Sequence, residues 1–154
     1  MSDFYYTGEN NRNTTNKFHG FFTRNGGVSQ NNFFSLNCAF NKKENNDNVI
    51  KNRKIVCRKI SESVTELILI SQTHSNKILE IDHNNKKNEM IGDGLITREK
   101  GIFLGILTAD CAPLIFLGKE YVGVIHVGWK GLLNGIIEKT IALLKERGER
   151  EKEL

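Results

Sequence analysis

The stretch Leu107–Gly131, LTADCAPLIFLGKEYVGVIHVGWKG, constrains this chain more than any other. Two apolar runs frame it: Gly101 to Leu107 leads into it, and Tyr121 to Val127 lies within it. Each has the length and bounded apolar character of a buried strand. The first delivers Asp110 and Cys111. The second delivers His126, after which Gly128 and Trp129 open a helical pattern. A thiol and an imidazole at the ends of neighbouring buried strands are held by rigid backbone, as a site requires.

The rest of the chain reads as the support for that stretch. Residues 1–17, rich in Asn and Thr, are expected to form a loose lead-in. Phe18 to Thr23 is a short aromatic strand candidate, and Arg24, Asn25, Gly26 and Gly27 make a turn. Phe33 to Phe40 is apolar but irregular. Asn41 to Asn48 is a loop, with Asp47 as candidate cap of a helix reaching about Ser61. Leu67 to Ile70 suggests a strand buried on both faces, Ser71 to Lys77 interrupts, and Ile78 to Ile81 resumes extended structure. His83 to Glu89 is a solvated loop. Gly94 to Thr97 and Gly101 to Leu107 are expected to pair, joined by Arg98 to Lys100. Leu132, Leu133, Ile136, Ile137, Ile141 and Leu144 follow one helical period that Gly148 stops. The domain is therefore read as 18–148, followed by a charged tail, 149–154, expected to fray.

Composition narrows the class. With 154 residues, 38% hydrophobic and 26% charged, the chain suits a single globular domain with a real core. No apolar run approaches a membrane span, and MSDFYYTGEN is too polar for a signal peptide. Cys38, Cys57 and Cys111 form no CxxC pair, so reduced thiols in a cytoplasmic protein are expected. The net charge of +4 draws attention to Lys51, Arg53, Lys54, Arg58 and Lys59. These share a segment with Val49, Val56 and Ile60 at helical spacing, so they read as its wet face. Without interleaved aromatics or a recognised module, neither nucleic acid nor membrane is an expected partner.

Three side chains then align: His74 after one buried run, Cys111 after a second, His126 at the end of a third. Zn²⁺ takes thiolate and imidazole readily, and three protein ligands leave a fourth position for water, as in catalytic sites. Such a water has its pKa lowered toward ~7. The spacing matches no short zinc-finger pattern. The same residues would equally serve a cysteine hydrolase, with Cys111 as nucleophile and a histidine as base. Cys57 and Cys38 read as small hydrophobes.

QTHS (Gln72–Ser75), GDGLIT (Gly92–Thr97), LTADCAPLIF (Leu107–Phe116) and HVGWKGLLNGIIEKT (His126–Thr140) resemble the laccase-domain, or multicopper polyphenol oxidase-like, family, as do HGFFTRNGGVS (His19–Ser29) and SLN (Ser35–Asn37). Many of its members are described as zinc-dependent purine nucleoside phosphorylases. The resemblance implies an α/β sandwich with mixed sheets and outer helices. It implies His74, Cys111 and His126 as metal ligands. It implies phosphorolysis of adenosine, inosine and methylthioadenosine, and adenosine deaminase activity. Two departures stand out: Ser75 replaces a glycine of the usual QxHG, and family members continue for roughly another hundred residues, about the length of a domain.

Roles follow for the remaining candidates. Asp110 is placed to shuttle a proton or orient an imidazole, against the alternative of a turn-capping Asp. Arg24 is a candidate for phosphate or a ribose hydroxyl through its planar fork, against a plain surface arginine. Asn37 is a candidate substrate contact, against an amide that satisfies its own loop. Trp129 reads first as packing at the helix start and second as a purine stack. The N–H groups beside Gly128, with Lys130, are candidates for holding an anion. The expected partners are a purine nucleoside and phosphate, with a homo-oligomer or a separate C-terminal fragment completing the chain. The alternatives are a truncated metal-binding remnant without turnover, the cysteine hydrolase, and a polyphenol oxidase. Copper is disfavoured because the chain has only 4 histidines.

Overall fold

A computed structural model of the chain describes residues 5–6, 17–62, 66–85 and 90–150. It divides into two compact units, 1–67 and 68–154.

In the first unit, β1 (Tyr5–Tyr6) pairs antiparallel with β2 (Phe21–Phe22). Two residues of the expected lead-in are thus extended, and 7–16 lie outside the described residues. The expected turn at 24–27 forms, with Gly26 at φ 89°. A single 3-10 turn, Asn31–Phe33, is the regular structure that precedes the irregular apolar segment. Helix α1 (Asn46–Ile60) is capped by Asn45, whose side-chain oxygen accepts from the Asp47 amide at 2.9 Å. Asp47, expected to be the cap, lies inside the first turn, where its charge complements the amide end of the helix dipole. Lys51, Lys54, Arg58 and Lys59 are exposed, as a wet face should be. Arg53 instead stacks over the Phe40 ring at 4.3 Å and donates twice to the Cys38 carbonyl. Asn52, fully buried, is the polar hub of this unit. Its oxygen accepts from Val28 N–H at 2.8 Å, and its amide nitrogen faces Ser29 Oγ, the Ser35 carbonyl and the Asn37 carbonyl at 2.9, 3.2 and 2.8 Å. One amide thereby holds both arms of the 28–37 loop. Gly27 is required beside it, because a Cβ there would run into the Ser35 carbonyl.

The second unit contains β3 (Leu67–Leu69, its first residue on the boundary), β4 (Ile78–Glu80), β5 (Gly94–Thr97), β6 (Phe103–Gly105), β7 (Ala112–Leu117), β8 (Val122–Val127), α2 (Trp129–Leu133) and α3 (Ile136–Glu146). A four-stranded sheet runs β4-β5-β8-β7, with β4 parallel to β5 and the other two pairs antiparallel. β3 and β6 form a separate pair. The expected β5–β6 pairing does not occur. All four residues of β5 are buried, as befits a central strand flanked by β4 and β8. A continuous apolar run shows burial but does not name its partner.

The pleat sorts side chains between two cores. Ile96 and Ile125 join Phe116, Tyr121, Val127 and the α3 residues Ile136 and Leu144 on one face. Leu95 joins Ile68, Ile70, Ile81 and Ile102 on the other. The result is the mixed α/β sandwich that the family resemblance implied, with α3 on one side of the sheet and the β3–β6 layer on the other. No helix among the described residues is long and apolar enough to cross a membrane.

Two C-terminal expectations need correction. The single helix expected after Trp129 is two helices, because Gly135 adopts φ 73° between them. Leu132 and Leu133, read as core from their spacing, are 50% and 78% exposed. Gly148, at φ 91°, does end α3. Glu149 was expected to begin a fraying tail, yet it is 4% exposed. Its carboxylate accepts the N–H groups of Lys119, Glu120 and Tyr121 at 2.7, 2.6 and 2.6 Å, which ties the chain after α3 to the β7–β8 turn. Close by, Tyr121 Oη and Arg147 Nε both donate to Glu80 at 2.8 Å. Replacing Glu149 by Ala strands three amides, and a loss of about 2–3 kcal/mol is expected in a denaturant melt. An unchanged midpoint would mean that water satisfies them equally well.

Candidate metal centre

His74 lies on the loop between β3 and β4, at φ 58°, in the left-handed region that non-glycine residues rarely occupy. Holding it there costs about 1–3 kcal/mol that its surroundings must offset. Gln72 supplies part of the anchoring. Its amide donates to the Leu107 carbonyl at 2.7 Å and accepts from the Leu107 N–H at 2.8 Å, so a side chain imitates a strand neighbour. This pair ties the His74 loop to the 106–111 segment that carries Cys111.

Cys111 immediately precedes β7 rather than closing the earlier apolar run, since β6 ends at Gly105. The strand was obscured in the sequence by Pro113, which a sheet tolerates here because β7 is an edge strand. The β7–β8 register places Ala112 opposite Val127 and Pro113 opposite His126, which brings the thiol beside the imidazole.

The three side chains converge. Cys111 Sγ lies 3.8 Å from His74 Nε2, and the two imidazoles meet edge to face, with centroids 4.9 Å apart. One donor atom from each of His74, Cys111 and His126 falls within 4.8 Å of the others. Tetrahedral zinc, with Zn–S ~2.3 Å and Zn–N ~2.0 Å, would set sulfur and nitrogen ~3.5 Å apart. The donor set therefore fits a borderline-soft divalent ion in both chemistry and spacing. His126 is buried, Cys111 half-buried and His74 exposed, so the centre opens to solvent on the His74 side.

Gly128 completes the wall. A Cβ there would lie 2.6 Å from His74 Cδ2 and 3.4 Å from both His74 Nε2 and Cys111 Sγ. Gly131 approaches equally closely, since a Cβ would meet the Ser75 carbonyl at 2.9 Å, and Asn76 donates to the Asn134 carbonyl at 2.7 Å. Helix α2 is thus clamped to the His74 loop. It is only 5 residues long, too short for an anion site at its N-terminus. Trp129 is 67% exposed, so the packing role read from the sequence fails, and Lys130 Nζ lies 5.4 Å from its ring centroid.

Asp93 is the residue that sequence reasoning missed. It is fully buried, and its carboxylate faces His126 Nδ1 at 2.8 Å and accepts the backbone N–H groups of Thr73, His74 and Ser75. Burial alone would push this carboxyl up. The His126 ring and the Ser75 and Thr73 donors outweigh it and bring the group down to about 2. The signal was present in GDGLIT, an acid between two glycines, but sequence gave it no partner.

The other candidates are placed as follows. Asp110 is exposed, next to Cys111 in the chain. In the first unit, Arg24 gives Nε and Nη2 to the Phe34 carbonyl at 3.0 and 2.7 Å. Asn37 donates to the Ala39 carbonyl and accepts from the Ala39 N–H, so its amide satisfies its own loop. Burial pushes the Cys38 thiol up to about 11 despite the nearby Arg53 charge, and burial also raises Cys57. Both are neutral, structural thiols, as read from sequence.

Fold and donor set together define an α/β sandwich that carries a His–Cys–His group able to hold a metal ion. A sequence model described as multi-copper polyphenol oxidoreductase laccase matches residues 18–154, and the chain belongs to that family. It is 33% identical to purine nucleoside phosphorylase YlmD of Bacillus subtilis over 96% of this chain and 55% of that protein. It is 47% identical to a purine nucleoside phosphorylase of Aquifex aeolicus over 54% of this chain and 40% of that one. Among solved structures, a Bacillus licheniformis hypothetical protein, YfiH, matches with a TM-score of 0.76 at 30% identity, over 84% of this chain and 52% of that chain. YlmD from Geobacillus stearothermophilus matches with the same TM-score of 0.76 at 27% identity, over 84% and 52%. The chain spans about half the length of the curated relatives it matches.

Proposed function

We propose that the chain is a zinc-dependent purine nucleoside phosphorylase acting on adenosine, inosine and methylthioadenosine, with hydrolytic deamination of adenosine as a second activity. The observation that carries this reading is the convergence of His74, Cys111 and His126 within 4.8 Å, in a family whose similar members bear the name purine nucleoside phosphorylase. When bound, zinc supplies Lewis acidity toward the purine edge and acidifies a coordinated water.

The chain's own residues would do the rest. His126 and Cys111 hold the buried side of the site, and His74 the open side. Asp110, exposed beside Cys111, moves the proton between the purine and solvent. Arg24 spends two of its N–H groups on Phe34, and the remaining fork is suited to phosphate. Asn37, whose amide also holds its own loop through Ala39, is the further substrate contact in this reading. Because the chain spans about half of its relatives, turnover by this chain, alone, as a homo-oligomer or with a further fragment, is part of the proposal, as is its placement in the cytoplasm.

The test is a product assay on zinc-loaded full-length chain. Inosine with phosphate should give hypoxanthine and ribose 1-phosphate, adenosine should release ammonia, and Cys111→Ala should abolish both. Loss of product on chelation and its return with zinc support the metal reading. Turnover indifferent to chelator but lost on Cys111 alkylation would assign the thiol as nucleophile. No turnover by metal-loaded protein would reduce the chain to a metal binder.

A further inference from the structure

Among the described residues of this unit, two buried carboxylates receive clusters of backbone N–H groups, and one of the two touches the candidate metal centre. Glu149 gathers three amides of a turn and faces no imidazole among the contacts described. Asp93 gathers the amides of Thr73, His74 and Ser75 at 3.2, 3.0 and 2.6 Å and also faces the His126 ring. The Ser75 hydroxyl donates to it as well, at 2.7 Å. Its backbone is fixed too, because its own carbonyl accepts the His126 N–H at 2.7 Å and its own N–H goes to the Lys77 carbonyl at 2.9 Å. Gly92 and Gly94 leave no room for side chains on either side. A Cβ at the first would meet the Lys77 carbonyl at 2.8 Å, and one at the second would meet Ile125 Cδ1 at 2.8 Å.

One carboxylate therefore grips one imidazole by its ring and the other by its backbone. We propose that Asp93 is the positioning residue of the metal site: it fixes Nε2 of His126 as the donor and holds His74 in its left-handed turn toward Cys111. The N–H groups of Thr73, His74 and Ser75 already donate to this carboxylate, so it serves as an acceptor; the ring nitrogen 2.8 Å away is placed to donate to it, and the opposite nitrogen is left to face a metal. The three N–H groups of 73–75 converge on the same carboxylate while His74 holds its positive φ. Asp93 never touches substrate; it acts through both histidines. This inference rests on the metal reading proposed above and specifies how the protein shapes that site.

Three measurements on the full-length chain test it. Zinc affinity is measured by competition with a chromophoric chelator, and ligand geometry by the absorption bands of the cobalt(II) form. Wild type, Asp93→Asn and Glu149→Gln are compared. Asp93→Asn should weaken zinc binding roughly 10–100-fold and shift the cobalt bands. Glu149→Gln, which loses stability through the same kind of amide cluster, should leave both unchanged. Long-range ¹H–¹⁵N spectra of metal-free wild type should show His126 with its proton on Nδ1, a readout that survives even if Asp93→Asn does not fold. Wild-type zinc affinity and cobalt bands in Asp93→Asn, equal losses in both variants, or a proton on Nε2 of His126 would each overturn the assignment. Absence of zinc binding by wild type with His126 protonated on Nδ1 would instead sink the metal reading and leave the hydrogen-bond geometry standing.

Discussion

Gly128→Ala should disarm the metal centre while leaving the fold almost untouched. The backbone of Gly128 sits at φ −80° and ψ 160°, where alanine is at ease, so the substitution carries no conformational penalty. The nearest heavy atoms to the new methyl belong to two of the three candidate ligand residues: it would stand 2.6 Å from His74 Cδ2 and 3.4 Å from His74 Nε2 and Cys111 Sγ. His74 is exposed and its ring can swing outward, so relief is cheap for folding. The same swing removes a ligand. Stability should change by less than about 1 kcal/mol, while zinc affinity falls roughly 10–100-fold, as when supports around a metal are altered. A thermal melt and a chelator competition separate the two effects. Unchanged affinity in a normally folded variant would show that the imidazole at 74 is dispensable.

Asn52→Ala should produce the largest loss of stability. Truncation empties a fully buried position and deprives the Val28 amide, the Ser29 hydroxyl and the Ser35 and Asn37 carbonyls of a shared partner. Each such group left unsatisfied costs about 1–3 kcal/mol, so a total of about 3 kcal/mol or more is expected. The 28–37 loop should become the first point of attack in limited proteolysis. Lys51→Ala, one position away on the exposed face of α1, should stay within about 0.5 kcal/mol and serves as the control. If both variants melt alike and resist protease alike, the amide is not the hub described.

What could be read from residues alone follows a physical divide. Cys111 and His126 stood out because apolar runs of strand length end close to them. The sandwich class came from the resemblance of the surrounding motifs to a known family, not from the runs themselves. The β7 strand was hidden because Pro113 breaks a ladder on paper, although an edge position has room for it. The break at Gly135 was hidden because Leu132, Leu133 and Ile136 keep a helical rhythm straight through it, and only φ 73° reveals the corner. Asp93, Asn52 and Glu149 were hidden for one shared reason. Their partners are mostly backbone N–H and C=O groups, which every residue carries, so no side-chain pattern announces where they gather.

The boundary between the two contact units has a genetic consequence. All three donor residues and the acid between the histidines fall after position 67, whereas Arg24 and Asn37 fall before it. Gene fission or recombination near that point would hand the three candidate donors and Asp93 together to one descendant and the loop residues to another. Selection could then alter what the centre is used for without having to reinvent its chelating residues.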